Sequence, residues 1–196
     1  MAAPASFDLS RLRSRLAGRA PRRAFRLLSP RRAAVAVVLD PKGCVLLTRR
    51  AARAGNPWAG QVSLPGGMAQ ASDGSALGTA VRETREEVGV DLADPDGAAL
   101  LGPLDEVRAM SHSGLRPLVI SPLVFLASTR PAASLGLEVV SVFWLPLAAA
   151  ASGALDSRLR FPVLGIPVRF ACWRNQGEVV WGLTYGILRA LIRLGT

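Results

Sequence analysis

Residues 64–90 read LPGGMAQASDGSALGTAVRETREEVGV, and the fold turns on how this stretch is read. A glycine pair at 66–67 is followed by a loop holding Asp73 and then by a helical pattern over roughly 75–88, with Gly89 as its stop. Thr79, Ala80, Val81 and Thr84 mix small and branched groups on the side of that helix that packs. Glu83, Glu86 and Glu87 stand at i, i+3 and i+4, so they share one face. Like charges at that spacing repel by about a few tenths of a kcal/mol per pair. Arg82 can offset this by pairing with Glu86 at i, i+4 on a solvated face. A hard divalent cation can offset it too. Such an ion takes about six oxygens and keeps several waters, so two or three carboxylates plus phosphate oxygens of a ligand suffice. The upstream glycines let the backbone approach closely enough to add a carbonyl.

Outward from this stretch, strands alternate with helices. Residues 7–17, FDLSRLRSRLA, put Leu9, Leu12 and Leu16 on one helical face, with Gly18 as a stop. A Pro/Arg-rich connector runs to about residue 32. AAVAVVL (33–39) is predicted as a buried strand, DPKG (40–43) as a turn and CVLLTRR as the returning strand of a hairpin. QVSLP (61–65) is a short strand that Pro65-Gly66-Gly67 breaks. AALLGPL, PLVISPLVFLA and EVVSVFWLPL follow as strands, and LAAAASG as a short helix. RFPVL and VRFACW form a second hairpin. WGLTYGILRALIRL closes the chain as a helix with Leu183, Ile187, Leu191 and Leu194 near one face. The expected class is α/β (α+β), an α/β/α sandwich. The expected organisation is a basic N-terminal helix and connector at 1–30, then one domain at 31–196.

Composition narrows the function. The chain has 196 residues, half of them hydrophobic, with 24 basic and 14 acidic side chains and a net charge of +10. That is enough for one domain with a proper core. Nine of the arginines fall between Arg11 and Arg32. A basic run serves nucleic acid, an anionic membrane or a phosphorylated substrate, or is simply a solvated face. No aromatic RNA-binding signature or zinc-finger spacing accompanies it, so no nucleic acid is expected. The segment is also arginine-rich and acid-poor like an organellar transit peptide, although Asp8 and a plain helix compete with that reading. LVISPLVFLA is interrupted by Pro122 and is too short to span a membrane. Cys44 and Cys172 form no CxxC pair and no disulfide framework, which makes a reducing cytoplasm the default.

Residues 82–90, RETREEVGV, resemble the core of the Nudix box, R-E-U-x-E-E-x-G-U with U a bulky aliphatic residue. Arg82, Glu83, Glu86, Glu87, Gly89 and Val90 match, and Thr84 departs at the first aliphatic position. The glycine that usually opens the box is displaced. Met68 holds its place, while Gly67 and Asp73 keep the six-residue glycine-to-acid step, leaving one extra residue before Arg82. That extra residue resembles the coenzyme A pyrophosphatase-like branch, which carries GQV-x-F-PGG upstream; here GQVSLPGG (60–67) has Leu64 for Phe. LLTRR before the loop, EVVSVFWLPL and EVVWGLTYGIL near the end extend the resemblance over roughly 33–195. Two features depart from the branch. GNPWAGQV, with Asn56, Pro57 and Trp58, is one residue longer and lacks the usual arginine, and Gln70 stands where the branch has Asp.

The resemblance implies a Nudix fold with a mixed central sheet and a Mg²⁺- or Mn²⁺-dependent pyrophosphohydrolase cleaving a nucleoside diphosphate linked to another group. The leading substrate is coenzyme A or acyl-coenzyme A, giving 3′,5′-ADP and a 4′-phosphopantetheine product. ADP-ribose, other dinucleotides, or a non-catalytic nucleotide- or nucleic-acid-binding module are the alternatives. It implies Glu83, Glu86 and Glu87 as metal ligands, with the Gly67 carbonyl as a fourth. Arg82 orients a helix carboxylate. Glu83 or Glu86 serves as general base, with Glu138 as a remote candidate and Glu106 behind it. Trp58 is either an adenine platform or a loop anchor. His112, with Ser113 and Arg116 in MSHSGLRP, reads as a loop group. The expected partner is a small pyrophosphate-containing molecule, with no nucleic acid and no membrane, and the chain is a monomer or a homodimer.

Overall fold

The computed structural model describes residues 6–24, 31–52, 60–109, 118–163 and 165–196. Its centre is the apolar run that begins at Arg31. Strand β1 (Arg31–Leu39) lies parallel to β7 (Leu118–Ala127), in register from Arg31↔Leu118 to Leu39↔Leu126. The first half of its other edge pairs antiparallel with β4 (Gly66–Met68), and its last residue, Leu39, pairs with Val45 of β2 (Cys44–Arg50). β2 continues against β3 (Val62–Ser63) and β8 (Val139–Pro146), while β5 (Ala98–Pro103) and β6 (Val107–Ala109) pair with β7. The result is an eight-stranded mixed sheet. A second, antiparallel sheet holds β9 (Asp156–Val163), β10 (Ile166–Asn175) and β11 (Glu178–Trp181), ordered β11-β10-β9.

Side-chain alternation along β1 builds the layers. Val35, Val37 and Leu39 face Leu12 and Leu16 of α1 (Leu9–Leu16) and Ile187, Leu188 and Leu191 of α4 (Gly182–Gly195). Ala34, Ala36 and Val38 face Ala80 and Val88 of α2 (Ala76–Val88). Small residues on that second face let α2 lie close to the sheet. The arrangement is an α/β/α sandwich, completed by the short α3 (Leu147–Ala151). An eight-residue helix is not stable alone. α1 is held by a cap, with the Asp8 carboxylate accepting the Ser10 and Arg11 N–H groups at 2.7 and 3.2 Å, and by burial of Leu12 and Leu16. Among the described residues no helix is long and apolar enough to cross a membrane.

Two elements differ from the sequence expectation. The hairpin at 33–50 closes only at Leu39↔Val45, because β4 takes the edge of β1 and the Ala36 N–H donates to the Pro65 carbonyl at 2.9 Å. Pro65-Gly66-Gly67 ends β3 but does not end pairing, since Gly66 starts β4 on a different partner strand. Gly66 has φ +148°, and a Cβ there would lie 2.3 Å from the Ala34 carbonyl oxygen, so only glycine fits.

Candidate active site

The carboxylate helix α2 is fixed at both ends. Ser75 caps its start, its hydroxyl accepting the Gly78 N–H at 3.0 Å. At its end the chain turns through Gly89, and the segment leading into β8 folds back over the last carbonyls. The Ser134 N–H donates to Val88 and the Gly136 N–H to Glu87, each at 2.9 Å. That segment ends at Glu138, whose carbonyl accepts the Ala51 N–H at 2.8 Å. Glu138 is thereby delivered beside the inner face of α2.

Glu83 and Glu87 point at β4. Glu87 is only 5% exposed, and its Oε2 accepts the Gly66 N–H at 3.0 Å. Arg50, at the end of β2, bridges two acids: its guanidinium lies 3.6 Å from Glu87 Oε1 and 3.4 Å from Glu138 Oε2. Burial pushes the Glu87 carboxyl up to about 7. Arg50 and the Gly66 N–H oppose this, and the nearby charges of Glu83 and Glu138 add to it. Glu83 fills the space over Gly67, where a Cβ would sit 2.5–2.6 Å from its carboxylate atoms. The bare Gly67 backbone is therefore what lets a carboxylate lie against β4.

Arg82 organises the outer side. Its Nε and Nη2 hold the two Asp73 oxygens at 2.7 and 3.0 Å, and Nη2 also donates to the Met68 carbonyl at 3.1 Å. Nη1 lies 2.9 Å from Glu83 and 3.0 Å from Glu86. This guanidinium thus offsets the repulsion between two of the clustered glutamates. Asp73 also accepts the Gln70 N–H and the Thr79 hydroxyl, each at 2.8 Å. Those bonds, that to Arg82 first, hold its carboxyl well below the usual carboxylate range. Glu86 is 58% exposed and turned to solvent. Among the described residues, no three His, Cys, Asp or Glu side chains form a ready-made ion cluster.

The sequence reading grouped Glu83, Glu86 and Glu87 and treated Glu138 as remote. The structure links Glu138 to Glu87 through Arg50. Arg50 carried no signal of its own in the sequence, being one of a basic pair at a strand end. Glu106 accepts the Ala24 N–H at 2.9 Å and the Ser121 hydroxyl at 3.5 Å, tying the connector to the sheet. Asn56, Pro57, Trp58, His112, Ser113 and Arg116 lie outside the described residues. Three other stretches are joined at β3. Thr48 of β2 bonds Ser63 of β3 hydroxyl to hydroxyl at 3.0 Å, and the Thr184 hydroxyl of α4 donates to the Val62 carbonyl at 3.2 Å.

Comparison with known proteins agrees with this architecture. The NUDIX domain model matches residues 29–162. The chain is 34% identical over 185 residues to the uncharacterized Nudix hydrolase NudL of Cronobacter sakazakii, covering 93% of this chain and 92% of that protein. It is 39% identical over 140 residues to an uncharacterized protein of Schizosaccharomyces pombe; the match covers 61% of this chain and 42% of that longer relative. Among solved structures, a MutT/nudix family protein from Enterococcus faecalis shares the fold with a TM-score of 0.53 at 17% identity, over 95% of this chain and 69% of the other.

Proposed function

This chain belongs to the NUDIX domain family and is a pyrophosphate-bond hydrolase acting on nucleoside diphosphate derivatives; from that premise we propose that its substrate is coenzyme A or an acyl-coenzyme A. The products are 3′,5′-ADP and 4′-phosphopantetheine or its acyl form. The observation that carries the reading is the joining of three stretches at β3, the strand that leads into β4. These are LLTRR on β2, GQVSLPGG around β3 and β4, and WGLTYGIL opening α4, joined by the Thr48–Ser63 and Thr184–Val62 hydrogen bonds. They are the stretches that resemble the coenzyme A pyrophosphatase-like branch.

Nudix hydrolases use divalent metal ions, and the residues here suit Mg²⁺ or Mn²⁺ in donor chemistry. The donors are all hard oxygens, and the gap left by the missing Gly67 side chain already seats one carboxylate against the backbone. Glu83, Glu86, Glu87 and the Gly67 carbonyl would hold the ion, which supplies charge neutralisation at the phosphates and a more acidic water. The chain's own residues do the rest. Arg82 fixes the direction of Glu83 and Glu86 while Asp73 fixes Arg82. Arg50 holds Glu138 and Glu87 on the same side. Water attacks one phosphorus of the pyrophosphate, a carboxylate from Glu83, Glu86 or Glu138 takes its proton, and the bond from that phosphorus to the bridging oxygen breaks, the oxygen leaving with the other phosphate. A base within hydrogen-bond reach contributes about 10²–10⁴-fold. The test is a mass-resolved product panel with Mg²⁺ or Mn²⁺ over coenzyme A, acetyl-coenzyme A, ADP-ribose, NADH and a dinucleoside polyphosphate. Fastest release of 3′,5′-ADP from the coenzyme A compounds is expected. Faster cleavage of another member overturns the substrate assignment.

A further inference from the structure

The hairpin of β9 and β10 has two chemically distinct faces. Cross-strand partners share a face and successive residues alternate. Leu159↔Phe170 and Phe161↔Val168 therefore lie on one face with Ile166. Near the base this face is covered by Trp181, whose ring stands 4.8 Å from Phe161 and 5.6 Å from Phe170. Toward the turn it is bare: Phe161 is 40% exposed, Val168 36% and Ile166 66%. The opposite face carries Pro162↔Pro167, then Arg160 directly across from Arg169, then Arg158. Like charges placed directly opposite destabilise a ladder. The side chains of these three arginines make no hydrogen bond or ion pair among the described residues. No acidic residue occurs between Asp156 and Glu178, and residues 161–168, FPVLGIPV, hold no charge at all. Pro162 and Pro167 also remove N–H donors from the exposed strand edges, which disfavours strand addition by another chain.

We propose that this hairpin docks the protein on an anionic lipid surface, with the uncharged turn entering the interface and Arg160, Arg169 and Arg158 meeting the headgroups. Charge complementarity selects this occupant. An apolar partner protein or a second copy would leave the opposed arginines uncompensated, whereas anionic headgroups neutralise them at the level where the apolar segment begins. The dimensions agree. From the level of Arg160 and Arg169 to the turn is three residues, roughly 10 Å of strand. An interfacial segment buries about 5–10 Å. The chain's net charge of +10 acts in the same direction at longer range. The inference is independent of which substrate the hydrolase cleaves.

The experiment is flotation of the full chain with vesicles of phosphatidylcholine plus phosphatidylglycerol and with vesicles of phosphatidylcholine alone. Two paired variants accompany it, Arg160→Gln with Arg169→Gln and Ile166→Ser with Val168→Ser. Binding to the anionic vesicles is expected, with little to the neutral ones. Each paired variant should weaken it by at least about 10-fold while melting temperature and hydrolysis of soluble substrate stay unchanged. The arginine pair lies on the opposite face from the apolar pair, so it remains informative if the apolar variant folds poorly. Equal binding to both vesicles, or wild-type binding by the arginine variant, overturns the proposal. So does a doubled molar mass in light scattering that Ile166→Ser abolishes, or retention of a labelled RNA oligonucleotide without vesicle binding.

Discussion

Gly67→Ala and Gly66→Ala are adjacent substitutions with opposite expected consequences. At Gly67 the new Cβ would lie 2.5–2.6 Å from the three end atoms of Glu83, where ordinary contact begins at 3.4 Å. The carboxylate is the far end of a flexible side chain, so it moves away by about 1 Å and the backbone stays. A misplacement of about 1 Å in a reacting constellation costs on the order of 10²-fold in turnover, or about 2.7 kcal/mol of barrier. Stability should hardly change, because Gly67 has an ordinary strand conformation. At Gly66 the new Cβ would meet backbone instead, 2.3 Å from the Ala34 oxygen and 2.6 Å from Val35 Cα, at φ +148°. β1 is the middle of the sheet and cannot give way. A loss of roughly 3 kcal/mol or more is expected, which for a chain of this size lowers Tm by about 6–12 °C. The assay is kcat with metal and substrate saturating, alongside thermal melting of both variants. A Gly67→Ala protein with wild-type kcat refutes the reasoning. So does a Gly67→Ala melting loss as large as that of Gly66→Ala.

Two further outcomes follow from the same geometry. Asp73→Asn removes the negative charge and one of the two oxygens that anchor Arg82, so the variant should melt lower than wild type at neutral pH. The folded carboxyl is depressed, so its contribution is present above the unfolded value near 3.9 and lost as pH falls further. The Tm difference should shrink below about pH 4, and a difference independent of pH would contradict this. Leu12→Ala opens a void between α1 and α4 and should cost about 2–5 kcal/mol, read by denaturant melting, with kcat retained below the transition. A neutral Leu12→Ala would show that α1 is not part of the core.

Much of the scaffold is readable without coordinates because its signals are local. Leu9, Leu12 and Leu16 with Gly18 mark α1, the apolar run at 33–39 marks the central strand, and Gly89 marks the end of α2. Long-range pairing is less legible. Nothing in AAVAVVL says that its long edge pairs in parallel with residues 118–126 rather than with the next strand. β6 and β11 span three and four residues, too few to show an alternating pattern. The same holds within the site. The spacing of Glu83, Glu86 and Glu87 is a helix property and visible in sequence. The bridge from Glu87 through Arg50 to Glu138 depends on the fold-back of residues 131–138 over the end of α2, which no spacing rule encodes. The like-charge cluster is likewise resolved by a distant partner, since Arg82 is itself oriented by Asp73 nine positions earlier.

The most direct measurement compares the rate of 3′,5′-ADP release from coenzyme A by wild type and by Glu86→Gln, at saturating Mg²⁺ and with Tm recorded for both. Glu86 is exposed and its amide replacement keeps shape and a hydrogen-bond acceptor for Arg82, so the fold should survive. Release by wild type and a fall of at least about 10²-fold in a variant of unchanged Tm is the expected result. Equal rates from the two folded proteins would mean that the carboxylate face of α2 is not where the pyrophosphate is cut.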